Sequence, residues 1–130
     1  MAELIRLTTG QRLVIYQIDD ETGSLDDALG RVDPGLHGQA RAKIYYLLEK
    51  LAREGTLRTP DHFNTEAVLP DEGHFYAVKT NSKLRIRAYG WFSNVHKGSF
   101  IVSHYAFKRG EKLDARDTAR VIANWRRIEK

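Results

Sequence analysis

Three β-prone segments follow one another closely in the second half of this 130-residue chain. They cover residues 74–80, 83–92 and 99–107, and turn-forming residues at 80–82 and 94–98 separate them. Connections this short favour antiparallel neighbours, because a parallel crossover needs a dozen residues or more. The spacing therefore predicts an antiparallel meander, so the chain must fold around a sheet.

Helices are predicted on both sides of the meander in the sequence. Residues 36–54 carry apolar side chains at helical spacing, and Gly55 suits the left-handed turn that ends such a helix. Near the C-terminus, Asp114 is a predicted N-cap, and Asp117 lies in the first turn, where a carboxylate suits the helix dipole. An apolar stripe over residues 121–128 gives this last helix one face for a core.

The earlier segments complete the predicted architecture. Residues 13–18 predict a strand, Ser24 can begin a short helix that ends by Gly30, and residues 56–72 predict a loop because they contain two prolines and four acids. The order of these elements predicts a single α+β domain over residues 1–130. Its small antiparallel-rich sheet would have N-terminal helices and a C-terminal helix packed on it.

Positive charge is concentrated in the C-terminal part of the chain. Residues 1–78 hold 8 Lys/Arg against 13 Asp/Glu, a balance of −5. Residues 79–130 hold 13 Lys/Arg against 4 Asp/Glu, a balance of +9. This asymmetry points to an anionic partner, nucleic acid before membrane.

Part of this charge alternates with apolar residues over residues 83–92. On a strand, alternate side chains point to opposite faces, so one face would be basic and aromatic while the other enters a core. Cations neutralise phosphates and aromatic rings stack on bases, so such a face suits RNA or single-stranded nucleic acid. The alternative interpretation is an ordinary solvated face on which long cationic side chains cover apolar surface. The residues on this face are Lys83, Arg85, Arg87, Tyr89 and Trp91.

The composition excludes several chemistries. The chain has no cysteine, which excludes disulfides, thiolate catalysis and cysteine zinc sites. Four of the five histidines lie far apart without ligand spacing, so we expect no metal site and no cofactor. No leader-like segment and no apolar run near the roughly 20 residues that cross a bilayer is present, so we expect a cytoplasmic protein without a membrane partner.

Two segments carry a resemblance to a known family. One is Leu-Arg-Ile-Arg at residues 84–87. The other is the run at 101–112, which resembles a final strand that ends in the basic pair Lys108-Arg109 and leads into a helix with Ala, Arg and acids at 117–122. They resemble toxins of the RelE/ParE superfamily, in particular its phage-related HigB-like branch. The resemblance covers about residues 36–130 and implies a RelE-like fold.

The family implies a bacterial or phage toxin of a type II toxin–antitoxin system. Such a toxin is an endoribonuclease, or mRNA interferase, that inhibits translation by cutting messenger RNA, typically in the ribosomal A site. Its partners would be a cognate antitoxin protein, RNA and the ribosome. The reaction needs no metal: the ribose 2′-hydroxyl attacks the adjacent phosphate, so the site must move protons and stabilise growing negative charge.

By position, the resemblance implies two sets of functional residues. Arginines would stabilise phosphate charge, and His104 would transfer protons because imidazole titrates near neutral pH. The predicted catalytic residues are Arg85, Arg87, His104, Lys108 and Arg109. The predicted RNA-binding residues are Lys83, Tyr89, Trp91, Lys112, Arg116 and Arg120.

Alternatives remain open for two of these residues. The pattern of residues 99–107 is compatible with two strand registers. If the even-numbered residues face the core, His104 is structural; if the odd-numbered residues face the core, His104 is available for proton transfer. Trp91 either stacks on a base or packs beneath the C-terminal helix.

Other functions also remain open. Superfamily members of the ParE type inhibit DNA gyrase, so the fold does not select the target. Residues 90–92 lack an Arg that many RNA-cleaving members carry, and the last helix has no C-terminal tyrosine. The alternatives are therefore a ParE-like gyrase inhibitor and a non-enzymatic basic module that binds nucleic acid or a partner protein.

Overall fold

A mixed six-stranded sheet forms the centre of the structure. The computed structural model describes residues 4–20, 22–108 and 113–130. The sheet order is β1-β2-β6-β5-β4-β3, and only β2 and β6 are parallel neighbours. No helix among the described residues has the length and apolar character needed to cross a membrane. In chain order the elements are β1 (Leu4–Thr9), β2 (Val14–Ile18), α1 (Leu25–Leu29), a 3-10 turn (Pro34–Leu36), α2 (His37–Glu54), β3 (Phe63–Val68), β4 (His74–Lys79), β5 (Ile86–Phe92), β6 (Ser99–Phe107) and α3 (Ala115–Glu129).

Helices cover both faces of this sheet. On one face, α1 and α2 form a core with the sheet in which Leu48 and Phe100 are fully buried. On the other face, α3 forms a second core in which Trp125 packs with Trp91. The central strands β5 and β6 are therefore buried on both sides, and polar side chains on them need partners from other elements.

The predicted α+β class and most predicted elements are confirmed. Ser24 caps α1, which ends at Gly30. Gly55 ends α2 with a φ of 80°, and Asp114 caps α3 by accepting a hydrogen bond from the backbone N–H of Arg116. The segments β4, β5 and β6 form the predicted antiparallel meander.

The prediction of a loop over residues 56–72 is wrong in its centre. That segment contains β3, an edge strand that pairs antiparallel with β4 and carries an irregularity between Thr65 and Ala67. The prolines that suggested a loop, Pro60 and Pro70, lie outside the strand. At the opposite edge, β1 adds a strand that the sequence patterns did not predict.

The strand predicted to begin at residue 83 begins at Ile86. Residues before it form a turn in which the Asn81 side-chain oxygen accepts from the backbone N–H groups of Lys83 and Leu84, at 3.0 and 2.9 Å. The N–H of Arg85 donates to the Asn81 carbonyl at 2.9 Å. An asparagine that satisfies neighbouring N–H groups in this way competes with strand pairing.

The exposed basic and aromatic face that the alternation predicted is buried instead. Arg87 is 7% exposed, Tyr89 0% and Trp91 1%. The two rings belong to the core that α3 covers, and Arg87 lies beside Glu66 of β3. The rings of Tyr89 and Trp91 are thus enclosed and cannot stack on a base in this structure. For Trp91, the structure favours the alternative of packing beneath the C-terminal helix.

A β-bulge decides the register of β6. Tyr89 is opposite His104 and Gly90 is opposite Val102, so Ser103 is an extra residue in β6. Both Ser103 and His104 contact α3, through Asn124 and Asp117 respectively. The strand therefore follows one of the two registers considered from the sequence before the bulge and the other register after it.

Gly90→Ala tests the packing at this bulge. An added Cβ at Gly90 would lie 2.4 Å from the Ile101 carbonyl oxygen and 2.6 Å from a ring carbon of Phe100, both fully buried. We expect a loss of about 1–3 kcal/mol in the free energy of unfolding, because the core must shift to accept it. Urea denaturation measures this loss. Gly38→Ala in α2 is the matched control, since its Cβ would meet nothing within 4 Å; equal stability of the two variants would contradict this account.

A carboxylate at the end of α3 binds the loop between β5 and β6. Glu129 accepts hydrogen bonds from the Trp91 indole at 3.1 Å, the Ser93 hydroxyl at 2.6 Å, and the N–H groups of Asn94 and Val95 at 2.8 and 3.1 Å. Partial burial alone would raise the pKa of Glu129, but these four donors outweigh it and lower the pKa below its ordinary value. A carboxylate is otherwise unfavourable at a helix C-terminus, so these donors explain its presence there.

Glu129→Gln should therefore have a pH-dependent effect on stability. A carboxylate whose pKa is lowered by folding stabilises the protein above its unfolded pKa, near 4.3 for Glu, and loses this effect as pH falls through the folded value. We expect the variant to be less stable than the wild type at pH 7 and the difference to shrink below about pH 4. Thermal unfolding from pH 3 to 7 measures it, with Glu49→Gln on α2 as the charge-matched control. A constant difference over this pH range would refute the account.

Candidate functional site

A cleft with a volume of about 390 Å³ opens where β5 begins and β6 ends. Four cationic side chains line it: Lys79, Arg85, Arg87 and Lys108. They meet because the strands are antiparallel neighbours, so the end of β4, the start of β5 and the end of β6 lie at one edge. We call this site the basic cleft. Its lining also includes polar residues and one carboxylate, which are Asn64, Thr80, Asn81, Ser82 and Asp61.

The turn before β5 holds Arg85 in an unusual backbone conformation. Arg85 has a φ of 60°, in the left-handed region that costs a non-glycine residue about 1–2 kcal/mol. The Thr80 hydroxyl bonds both the N–H and the carbonyl of Ile86, at 2.9 and 3.1 Å. The N–H of Lys108 donates to the Arg85 carbonyl at 2.9 Å. The surrounding bonds thus maintain a strained backbone at the cleft, as is common at functional sites.

A nearly buried polar group lies behind the cleft. The Arg87 guanidinium is 3.7 Å from Oε1 of Glu66 on β3, and the two side chains are 9% and 7% exposed. The other Glu66 oxygen accepts from the Asn64 amide at 2.7 Å, whereas Oε1 and the Tyr89 hydroxyl have no hydrogen-bond partner among the residues that the structure describes. Burial raises the pKa of Tyr89, and the charge of Asp117 adds to this effect while Arg87 opposes it. Buried polar atoms with unused bonding capacity are rare and commonly mark a functional site.

Asp117 is the centre of a second polar group, which we call the His104 network. His104 Nε2 is 2.9 Å from one Asp117 oxygen, and the Lys108 ammonium is 3.2 Å from the other. His104 Nδ1 is 2.9 Å from the Ser103 hydroxyl, which accepts from the Asn124 amide at 2.9 Å. The network joins β6 to α3 and includes one of the four cations of the basic cleft.

The contacts of His104 favour a structural role. Burial alone would raise the pKa of Asp117, but hydrogen bonds and charge from His104 and Lys108 outweigh it and lower the pKa. An ionised carboxylate only accepts hydrogen bonds, so Nε2 carries the hydrogen in the contact between His104 and Asp117. With both nitrogens engaged and its side chain 3% exposed, His104 is a positioning residue for Asp117. Within the described part of the chain, Lys108 is the residue that connects the network to the cleft.

Two other predicted RNA-binding residues lie away from the basic cleft. Arg116 is exposed and pairs with Asp114 at 3.1 Å. Arg120 donates to the Thr22 carbonyl and lies 3.9 Å from Asp20, so it ties α3 to the loop after β2. Both line a cavity of about 380 Å³ that Lys108 also lines, where three carboxylates offset most of the charge of four cations.

The remaining predicted residues divide into two groups. Lys83 is exposed on the turn before β5 and lines a cavity next to the basic cleft. Arg109 and Lys112 lie outside the described residues. Sequence reasoning missed Lys79 and Glu66; Lys79 ends a predicted strand and could have been found by its charge, whereas Glu66 lay within a predicted loop.

Neither metal ligands among the described residues nor similarity to known proteins assigns a function to the site. Within the described ranges, no group of three or more His, Asp or Glu side chains could hold a metal ion. No protein-family model matches the chain, and neither curated proteins nor solved structures show significant similarity to it. The geometry of the cleft is therefore the basis for interpreting the site.

Asp117→Asn tests the role of the His104 network. An amide cannot provide the charge that both Lys108 and His104 contact, so we expect a loss of about 2–3 kcal/mol in the free energy of unfolding. Asp114→Asn in the same first turn is the matched control, because asparagine is also a good N-cap. Chemical denaturation at pH 7 compares them. Similar small effects in both variants would show that the network does not stabilise the contact of α3 with β6.

Proposed function

We propose that the chain is the toxin of a type II toxin–antitoxin system and cleaves messenger RNA in the basic cleft, in the cytoplasm and without a metal ion. The convergence of Lys79, Arg85, Arg87 and Lys108 in one cleft is the observation that carries this proposal. The order of elements, with helices before an antiparallel meander, and the resemblance of residues 84–87 to RelE/ParE toxins support the family. A cognate antitoxin would inhibit the toxin by covering the cleft.

The cations of the cleft have separate roles in this proposal. When the 2′-hydroxyl attacks the adjacent phosphorus, its proton passes to water, and the phosphorane gains negative charge, which the forked guanidinium groups of Arg85 and Arg87 stabilise. The Lys108 ammonium, oriented by Asp117, donates a proton to the leaving 5′-oxygen. No described histidine lines the cleft, so proton donation is assigned to Lys108 and not to His104. The products are a 2′,3′-cyclic phosphate and a 5′-hydroxyl.

Arg85→Gly tests whether RNA cleavage depends on Arg85 without lowering the stability of the fold. Glycine relieves the left-handed strain, so we expect a melting temperature equal to or above that of the wild type. Loss of one guanidinium that contacts phosphate should lower the rate of RNA cleavage at least about tenfold. Cleavage of a labelled RNA oligonucleotide and growth arrest on expression are the readouts. Lys97→Gln is the control, because Lys97 is exposed in the loop at the opposite end of β5 and β6.

The experiment has outcomes that contradict the proposal. Full cleavage and growth arrest with Arg85→Gly would show that the reaction does not take place in the basic cleft. Growth arrest with intact transcripts by primer extension, together with DNA damage, would favour a gyrase inhibitor. Because a toxin of this family can require the ribosome, cleavage is measured on cellular transcripts as well as on the purified oligonucleotide.

A non-enzymatic nucleic-acid-binding module is the second candidate. It is favoured by the pairing of two cleft cations with carboxylates, Arg87 with Glu66 and Lys108 with Asp117. Such pairs reduce the charge available to a transition state, but they still permit binding to phosphates. This candidate predicts salt-sensitive binding of RNA that remains intact and causes no growth arrest.

A further inference from the structure

A second cavity, with a volume of about 520 Å³, adjoins the basic cleft. Arg85 lines both, so the two lie side by side at the turn before β5. The second cavity lies between this turn and the segment that follows α1. Its lining includes Arg31, Asp33, Leu36, Lys83, Arg85 and Phe107.

The lining combines the two kinds of contact that single-stranded nucleic acid needs. Arg31 and Lys83 are exposed cations that approach from opposite sides, one after α1 and one before β5. Phe107 and Leu36 are partly exposed apolar side chains packed against the core beneath. Cations contact the phosphates of a strand, while an aromatic surface stacks on a base.

Both walls of the cavity are held by backbone hydrogen bonds. The N–H groups of Arg31 and Val32 donate to the carbonyls of Ala28 and Leu29, at 3.1 and 2.9 Å. His37 bonds the Val32 carbonyl at 2.8 Å. On the opposite wall, Asn81 fixes the turn that carries Lys83, as described above. The cavity thus has a defined shape, which reduces the ordering cost of binding.

One carboxylate lies in the same lining. Asp33 caps the 3-10 turn by accepting from the N–H of Gly35 at 3.2 Å. Three cations against one carboxylate leave the cavity with a positive balance. This balance favours a phosphodiester over a neutral or cationic ligand.

We propose that this cavity is a nucleotide subsite, which binds the phosphate and base of the residue flanking the one cut in the basic cleft. The inference rests on the proposed function, because it takes RNA as the ligand of the cleft. Arg31 and Lys83 bind the flanking phosphate, and Phe107 stacks on the base. The basic cleft binds the dinucleotide that contains the scissile phosphate, so with the subsite the protein binds at least three consecutive nucleotides, and RNA length determines affinity.

Binding of non-cleavable RNA of two lengths tests the subsite. The probes are 2′-O-methyl oligonucleotides of two and six nucleotides, and the variants are Arg31→Gln and Phe107→Leu. We expect Phe107→Leu to raise the Kd of the longer probe about tenfold. Arg31→Gln should raise it less and reduce the salt slope by about 0.7. Neither variant should change the Kd of the dinucleotide, which the basic cleft binds alone.

The controls keep failure of the subsite separate from failure of the proposed function. Lys97→Gln makes the same charge change as Arg31→Gln, so equal losses in the two would overturn the subsite. Equal losses for both probe lengths would also overturn it. Arg31 is exposed, so its replacement tests the subsite even if Phe107→Leu loosens the core. If the wild type binds the longer probe but leaves RNA uncut, only the cleavage proposal fails. If it binds neither probe, the subsite proposal fails, and the cleavage of cellular transcripts decides the proposed function separately.

Discussion

The covering of the sheet on both faces is the constraint on which the other features depend. With α2 on one side and α3 on the other, the central strands are buried on both faces over most of their length. A polar side chain on β5 or β6 must then find a partner on another element. His104 meets Asp117 and Trp91 meets Glu129, so two carboxylates of α3 bind the sheet at opposite ends of that helix. These contacts fix the position of α3 on the sheet more specifically than apolar packing alone.

The same constraint explains where the functional cations lie. Charged side chains become accessible only where the strands leave the covered part of the sheet, at the end of β4 and β6 and at the start of β5. Lys108 lies at the boundary between the covered sheet and the cleft, because its ammonium bonds the partly buried Asp117 and its side chain also lines the basic cleft. Arg85 lies one residue before the strand, where a strained turn carries it into two adjoining cavities. The core and the candidate site therefore share residues, and a change in one affects the other.

Prediction from sequence succeeded where the signals were local. Helical periodicity and end caps placed α2 and α3, and short connections predicted the meander. The edge strand β3 was missed because prolines and acids surround it, although its Glu66 is the buried partner of Arg87. The basic alternation was misread for a related reason: it is typical of a half-exposed strand, whereas here α3 packs over Tyr89 and Trp91, and Arg87 is buried beside Glu66. Sequence reasoning predicted that Arg85, Arg87 and Lys108 belong to one site, but it did not include Lys79.

By itself, the sequence determined the order and type of most elements and the concentration of cations in the C-terminal part, since both are local or compositional properties. The tertiary structure alone decided which of those cations share a cleft and which are paired. It also decided that His104 is enclosed, because a bulge at Ser103 turns both side chains toward α3. The physical reason is that such contacts join residues distant in the chain, and their energy depends on burial that no local pattern encodes.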